Sequence, residues 1–124
     1  MNGHTVRKFR LSDKFISQYE DKKVPWGPVG YVTYKRTYAR RLDERTPGAV
    51  GTEEWFQTCR RVIEGMFDMQ KQHVSHLGLE WNDAKAQKTA KEAYDRLFDL
   101  KWTPPGRGLW MMGTKFVEER TAAG

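Results

Sequence analysis

The sequence predicts a mainly α-helical protein with a single core. Four segments carry apolar residues at intervals of three and four, and stretches rich in proline and glycine separate them. The chain has 124 residues, which suits one domain rather than two. Five Trp, five Tyr and six Phe supply the large side chains of the core.

The first two helices are expected near 12–21 and 28–42. Ser12 or Asp13 can cap the first helix, and the segment VPWGPVG ends it because two prolines and two glycines cannot continue a helix. Tyr, Val and Thr in the second segment would also suit a strand. The spacing favours a helix whose inward stripe holds Tyr31, Val32, Tyr34, Tyr38 and Leu42.

The next two helices are expected near 52–77 and 83–99. Thr52 can cap the third helix, Gly78 can close it, and Asn82 or Asp83 can cap the fourth. The inward stripe of the third helix is Trp55, Phe56, Cys59, Val62, Ile63, Met66 and Phe67. That of the fourth is Ala86, Ala90, Ala93, Tyr94, Leu97 and Phe98, with Lys85, Lys88 and Lys91 outside.

The formal net charge of +6 lies at the N-terminal end of the chain. Residues 1–45 hold eleven Lys or Arg against five Asp or Glu, whereas residues 46–124 hold eleven of each. A basic end fits nucleic acid, a phosphate-bearing small molecule or an acidic partner, and charge alone does not choose among them. No apolar run reaches membrane-span length and no signal peptide is evident, so we expect a cytoplasmic protein without a membrane partner.

Few residues suggest catalytic or metal chemistry. Cys59 is the only cysteine, which excludes an internal disulfide and a cysteine-based zinc site, and its place on an apolar face indicates a buried structural thiol. His73 and His76 are one turn apart but have no carboxylate at ligand spacing, so we expect a solvated helix end. Glu53 and Glu54 are expected at a helix start or on a polar face, outside any acid–base role.

Residues 31–41 mix tyrosines with basic side chains in the run YKRTYARR. Such a mixture is found on surfaces that bind nucleic acid. The same mixture also fits an amphipathic helix whose tyrosines point inward and whose cations lie in water. We favour the amphipathic helix.

The segment KWTPPGRGLWMMGT, residues 101–114, has two interpretations. Gly106 and Gly108 leave the backbone open to a ligand on either side of Arg107, whose guanidinium suits a phosphate. The alternative is a surface turn with a solvated arginine. Spacing alone leaves both open.

Two motifs in this order, WGP followed by YKRTYAR and later PPGR.LW..GT, resemble the N-terminal region of adenosylcobalamin-dependent (class II) ribonucleotide reductases, especially the ribonucleoside-triphosphate reductase type. The resemblance runs from about residue 12 to residue 124. It implies an N-terminal helical region (1–100) followed by a substrate-phosphate loop and the start of the family's ten-stranded α/β barrel (101–124). Gly106, Arg107 and Gly108 would then contact the substrate, a ribonucleotide.

The same resemblance implies an oxidoreductase that makes deoxyribonucleotides with adenosylcobalamin and a thioredoxin-type reductant. The cysteine that forms the family's thiyl radical follows the segment matching EERTAAG, and this sequence has no counterpart for it. We therefore expect no activity and no bound cofactor in this chain alone, with the catalytic barrel as its partner. A fragment, a split-gene product and a repurposed remnant remain open. The alternative is a small basic helical protein binding nucleic acid or a protein through residues 31–41, of which nucleic acid is the less expected.

Overall fold

Helices dominate the part of the chain that the computed structural model describes, residues 7–44 and 46–104. The α-helices are α1 (Asp13–Ser17), α2 (Pro28–Thr37), α3 (Trp55–His76) and α4 (Asp83–Phe98), with a 3-10 turn at Leu42–Glu44. No strand forms among these residues, although one isolated antiparallel bridge joins Arg41 to Thr52. The predicted mainly α fold is confirmed.

Helices α3 and α4 pack against each other and form the centre of the core. Both predicted stripes point inward, which is why these two long helices are stable as a pair. On α3 the buried apolar residues are Trp55, Cys59, Val62, Ile63 and Phe67, with Phe56 and Met66 half-buried at the margin. On α4 they are Ala86, Ala90, Tyr94, Leu97 and Phe98, with Ala93 at the margin.

Both short helices end earlier than the sequence predicts. After Ser17 the chain continues in turns closed by bonds such as Tyr19 N–H to Ile16 O, 2.9 Å. After Thr37 it leaves the helix because Arg40 O accepts from Glu53 N–H at 2.8 Å. Val32 is 51% exposed, so its expected place in the inward stripe of α2 is wrong.

Three of the four predicted helix-end residues are confirmed. The Ser12 side chain accepts from Phe15 N–H, the Asn82 side chain accepts from Lys85 N–H, and Gly78 takes a φ of 75° just past α3. The prediction that Thr52 caps α3 is wrong. The helix begins at Trp55, and Thr52 is instead held in the bridge to Arg41.

The N-terminal end of the described chain packs against helices α3 and α4. Residues 7–12, the N-terminal arm, place Phe9 and Leu11 in the core. Before the start of α2, the Trp26 ring packs on two other aromatic rings. Its centroid lies 4.6 Å from the centroid of Trp55 and 5.4 Å from that of Tyr34.

The helices of the described residues include none with the length and apolar composition of a membrane span.

Candidate functional site

The predicted phosphate loop, Gly106, Arg107 and Gly108, lies outside the described residues. The structure does show how the chain approaches it. Leu100 N–H donates to Leu97 O at 3.0 Å, and Lys101 N–H donates to Arg96 O at 2.8 Å. These two bonds are those of a Schellman motif, and they place Leu100 in the left-handed region with a φ of 59°. The end of α4 therefore turns sharply toward residues 103–104.

Trp102 fixes the chain after that turn. Its indole N–H donates to Ala93 O at 3.1 Å, and its half-buried ring packs against the core beside α4. An indole with both a hydrogen bond and an apolar contact has little freedom to move. The chain therefore leaves α4 from a defined position two residues before Pro104.

The basic and aromatic segment 31–41 is tied to the start of α3. The Tyr34 hydroxyl bonds the Thr58 hydroxyl, and burial holds the pKa of Tyr34 far above its usual range. Lys35 Nζ donates to Glu53 O at 2.7 Å, while Arg41 pairs with Asp43 at 2.8 Å. Because the tyrosine points inward and these cations have intramolecular partners, the geometry favours a scaffold role over a nucleic-acid surface.

A buried ion pair links this segment to α3, and the sequence interpretation missed it. Arg61 Nε donates to Glu53 Oε2 at 2.9 Å and its Nη2 donates to Oε1 at 3.1 Å, with both side chains at most 5% exposed. Oε1 also accepts from Thr58 Oγ1 at 2.9 Å and from Arg40 N–H at 3.0 Å. Glu53 directly precedes the N-cap residue of α3, so its expected place at a helix start is confirmed, but it is buried and does not lie on a polar face. Its role is structural, because its hydrogen bonds hold residue 40 against α3.

A pattern in the sequence could have revealed the buried polar residues of α3. The polar residues Thr58, Arg61, Glu64 and Asp68 recur at three, three and four, and all four are buried. This is a second stripe on α3, beside the apolar one. Charged residues at helical period next to an apolar stripe indicate buried partners on other segments.

A cleft of about 1070 Å³ opens over the polar stripe of α3. Residues of the N-terminal arm, of α1, of 40–44 and of 46–47 line its sides. Its cations are already matched by carboxylates: Arg60 lies 2.8 Å from Asp13 and 2.9 Å from Glu64, and Arg40 pairs with Glu44. An anion entering the cleft would have to displace these carboxylates, so the cleft is not a phosphate pocket.

The remaining candidate residues have structural or solvent-exposed positions. Cys59 is fully buried, and burial holds the pKa of its thiol well above the usual range, which confirms a structural thiol. His73 and His76 are exposed at the end of α3. Across residues 7–44 and 46–104, no three His, Cys, Asp or Glu side chains are grouped closely enough to hold a metal ion.

Comparison with known proteins identifies the family. The family described as "Ribonucleotide reductase alpha domain" matches residues 11–114. This chain belongs to that family. A probable adenosylcobalamin-dependent ribonucleoside-triphosphate reductase of Dictyostelium discoideum is 40% identical over 118 residues, which cover 94% of this chain and 15% of the relative. The corresponding reductase of Euglena gracilis is 35% identical over 118 residues, with 93% and 16% covered.

A solved structure supports the same assignment. The crystal structure of a B-12 dependent (class II) ribonucleotide reductase superposes with a TM-score of 0.70 at 33% identity, covering 87% of this chain and 14% of that one. The four-helix arrangement is therefore that of an N-terminal helical segment of a class II ribonucleotide reductase. The chain spans about one-sixth or less of the length of these ribonucleotide reductases.

Proposed function

We propose that this chain acts as the N-terminal helical part of an adenosylcobalamin-dependent ribonucleotide reductase. The observation that carries the proposal is the shared fold, a TM-score of 0.70 over 87% of the chain, with a class II reductase. Residues 1–100 would serve as scaffold, and residues 101–124 would supply a substrate-phosphate loop and the start of the barrel. The partner would be the catalytic remainder of the reductase, whose substrate is a ribonucleotide.

The geometry of the described part supports the scaffold role. The Glu53–Arg61 pair fixes the connection between α2 and α3, and the Schellman turn with Trp102 fixes the exit from α4. A loop that binds phosphate needs a rigid base, because misplaced donors lose most of their effect. Arg107 would hold the phosphate with a charged hydrogen bond, and Gly106 and Gly108 would let the backbone approach it.

Adenosylcobalamin would supply the radical chemistry of the complete enzyme, and a thioredoxin-type protein would supply its electrons. The described residues do not fit the cofactor. A corrin is a wide, flat ring, whereas the large cleft over α3 is lined by paired charges such as Arg60 with Asp13 and Glu64. We therefore assign residues 7–44 and 46–104 no cobalamin contact and derive no step through the cofactor.

The proposal is tested with a chimera. The aligned segment of the Euglena gracilis reductase is replaced by that of this chain, and deoxynucleotide formation is measured with adenosylcobalamin, a ribonucleoside triphosphate and a reductant. We expect turnover to be retained, because the scaffold is shared. A folded chimera that holds cobalamin but makes no deoxynucleotide would contradict the scaffold role.

The loop is tested in the same chimera. Charged hydrogen bonds contribute about 1.5–3 kcal/mol each, so Arg107→Ala should raise the Michaelis constant for the nucleotide about ten- to a hundredfold. Gly108→Val should do similar harm by closing the approach to the backbone. Arg96→Ala, on the exposed side of α4, is the matched control and should leave the constant unchanged. An unchanged constant for Arg107→Ala would mean that Arg107 is a solvated turn residue.

A further inference from the structure

Helix α2 carries apolar side chains on two sides. On the side that faces α3, Tyr34 is buried and its ring centroid lies 5.5 Å from that of Trp55. On another side, Val29 and Val32 are 81% and 51% exposed. A helix at the surface of a protein normally has one apolar and one polar side, whereas a helix that is apolar on several sides is typical of one that is covered on several sides. Val29 and Val32, the outward face of α2, therefore have the composition of a contact surface.

Helix α4 shows how this chain builds a helix face that stays in water. Lys85, Lys88 and Lys91 follow one another at intervals of three on its exposed side. At the same spacing α2 has two valines, which lie one turn apart and form one patch. Valine is also a weaker helix former than lysine, because its branched side chain loses rotamer freedom. Neither solvation nor helix formation explains these valines, so they point to a partner.

The outward face of α2 lies at the end of the bundle where the chain leaves it. Just before α2, the Trp26 ring centroid is 4.6 Å from that of Trp55 at the start of α3. The Trp55 indole N–H donates to Phe98 O, at the end of α4, at 2.9 Å. The starts of α2 and α3 and the end of α4 are thus neighbours. The chain continues from this end through Leu100 to Trp102.

In the relatives, most of the enzyme follows this segment. The matched part is an N-terminal part of each, 15% of the Dictyostelium discoideum reductase and 16% of the Euglena gracilis reductase. The remainder is therefore joined to the end of α4 through the residues that follow it. A surface beside a covalent junction meets the next part of the chain at high effective concentration, so a small apolar patch is enough for a stable contact.

We propose that the outward face of α2, Val29 and Val32, is the surface on which the catalytic remainder of the reductase packs with apolar side chains of its own. The inference rests on the proposed function and names the place where its two parts meet. Apolar packing is the chemistry that fits, because a valine side chain offers neither charge nor hydrogen bond and gains free energy by leaving water.

Thiol labelling tests this contact. Val29→Cys and Val32→Cys are made singly in the isolated chain and in the chimera with the Euglena gracilis reductase. Mass spectrometry of the labelled peptides then gives the rate of reaction with a maleimide at each position. Leu79→Cys is the matched control, because Leu79 is 62% exposed at the far end of α3. The native Cys59 is fully buried and gives the background.

The expected rates differ between the two ends of the bundle. In the isolated chain all three introduced thiols should react rapidly. In the chimera, the thiols at positions 29 and 32 should react at least about tenfold more slowly, because packed apolar side chains exclude the reagent, and the rate at position 79 should change by less than about twofold. Unchanged rates at positions 29 and 32 would overturn the proposal, as would equal protection at position 79.

The docking surface and the proposed function fail in different ways. A chimera that makes deoxynucleotide while its thiols at positions 29 and 32 stay reactive would overturn the docking surface alone. Protection of both positions in a chimera that holds cobalamin without turnover would support the docking surface and contradict the scaffold role.

Charged variants test the consequence for the enzyme. Val29→Lys with Val32→Lys should leave the thermal midpoint of the isolated chain unchanged, since both side chains are exposed there. In the chimera the same pair should lower turnover about tenfold or more, because two ammonium groups lose their water at the contact. Leu77→Lys with Leu79→Lys is the control and should change neither quantity. Equal turnover of the two double variants would overturn the proposal.

Discussion

The buried pair Glu53–Arg61 shows how single residues set the shape of this protein. Its carboxylate accepts two bonds from Arg61, one from Thr58 and one from the backbone of Arg40. Two charges away from water are tolerated only when their hydrogen bonds are satisfied in this way. The pair therefore specifies where the chain before α3 must lie.

Removing one partner of this pair should be strongly destabilising. Arg61→Ala leaves Glu53 buried without its cation, and we expect a loss of about 3–5 kcal/mol in the free energy of unfolding, measured with urea. The double variant Glu53→Ala with Arg61→Ala should lose less than the sum of the two single variants. Arg41→Ala, which breaks an exposed pair with Asp43, is the control and should have no measurable effect. Additive single effects would refute the coupling.

Cys59 should make stability depend on alkaline pH. Burial raises the pKa of its thiol, so in the pH range above about 8.5 the unfolded chain has lost this proton while the folded chain keeps it. The free energy of unfolding therefore has its full value below that pH and falls as the pH rises, by about 1.4 kcal/mol at a pH one unit higher. Urea unfolding at pH 7.5 and 9.5 measures the change. In Cys59→Ala the free energy of unfolding should lack this part of its pH dependence. An identical change between the two pH values in both proteins would contradict the prediction.

At the scale of elements, the start of α3 depends on a side chain beyond the predicted cap. Glu54 is the N-cap residue, and its N–H donates to Gln57 Oε1 at 2.7 Å, which is one half of a capping box. Thr52 lies two residues earlier and joins the bridge to Arg41. Pairing between residues 40–42 and 51–53 thus delays the helix beyond the first suitable cap in the sequence.

This difference gives a paired test. Gln57→Ala should lower the free energy of unfolding by about 1 kcal/mol, because the Glu54 N–H loses its acceptor. Thr52→Ala should change it by less than about 0.5 kcal/mol, since only backbone groups of Thr52 take part in the contacts described. Chemical denaturation of both variants decides between the caps. A larger loss for Thr52→Ala would restore the prediction from sequence.

At the scale of the whole molecule, the chain should not catalyse nucleotide reduction by itself. Its only cysteine is Cys59, which is fully buried, so no thiol is accessible for radical or redox chemistry. Incubation with adenosylcobalamin, a ribonucleoside triphosphate and a dithiol should yield no deoxynucleotide above background. The Euglena gracilis reductase, assayed in parallel, is the positive control. Deoxynucleotide formed by this polypeptide alone would refute both this prediction and the structural role of Cys59.

The sequence by itself determined the helical class, the inward faces of α3 and α4, and the buried position of Cys59. These features follow from local periodicity, since a long apolar stripe at helical spacing has one way to leave water. The caps Ser12 and Asn82 were equally predictable, because each side chain bonds a backbone N–H three residues away. The motifs also gave the family, because they carry a specific order and separation.

Only the tertiary structure decided the features that join residues distant in sequence. Several features depend on partners that periodicity does not reveal. They are the ends of α1 and α2, the start of α3, the burial of Glu53 and the hydrogen bonds between the N-terminal arm and α3. Glu64 and Asp68 meet residues 53 and 59 positions away, and a helical stripe shows only that they need partners, not which ones. The loop at Arg107 stays a prediction, since its partner would be a ligand. Local patterns fix which face of a helix turns inward, and long-range hydrogen bonds fix what it meets there.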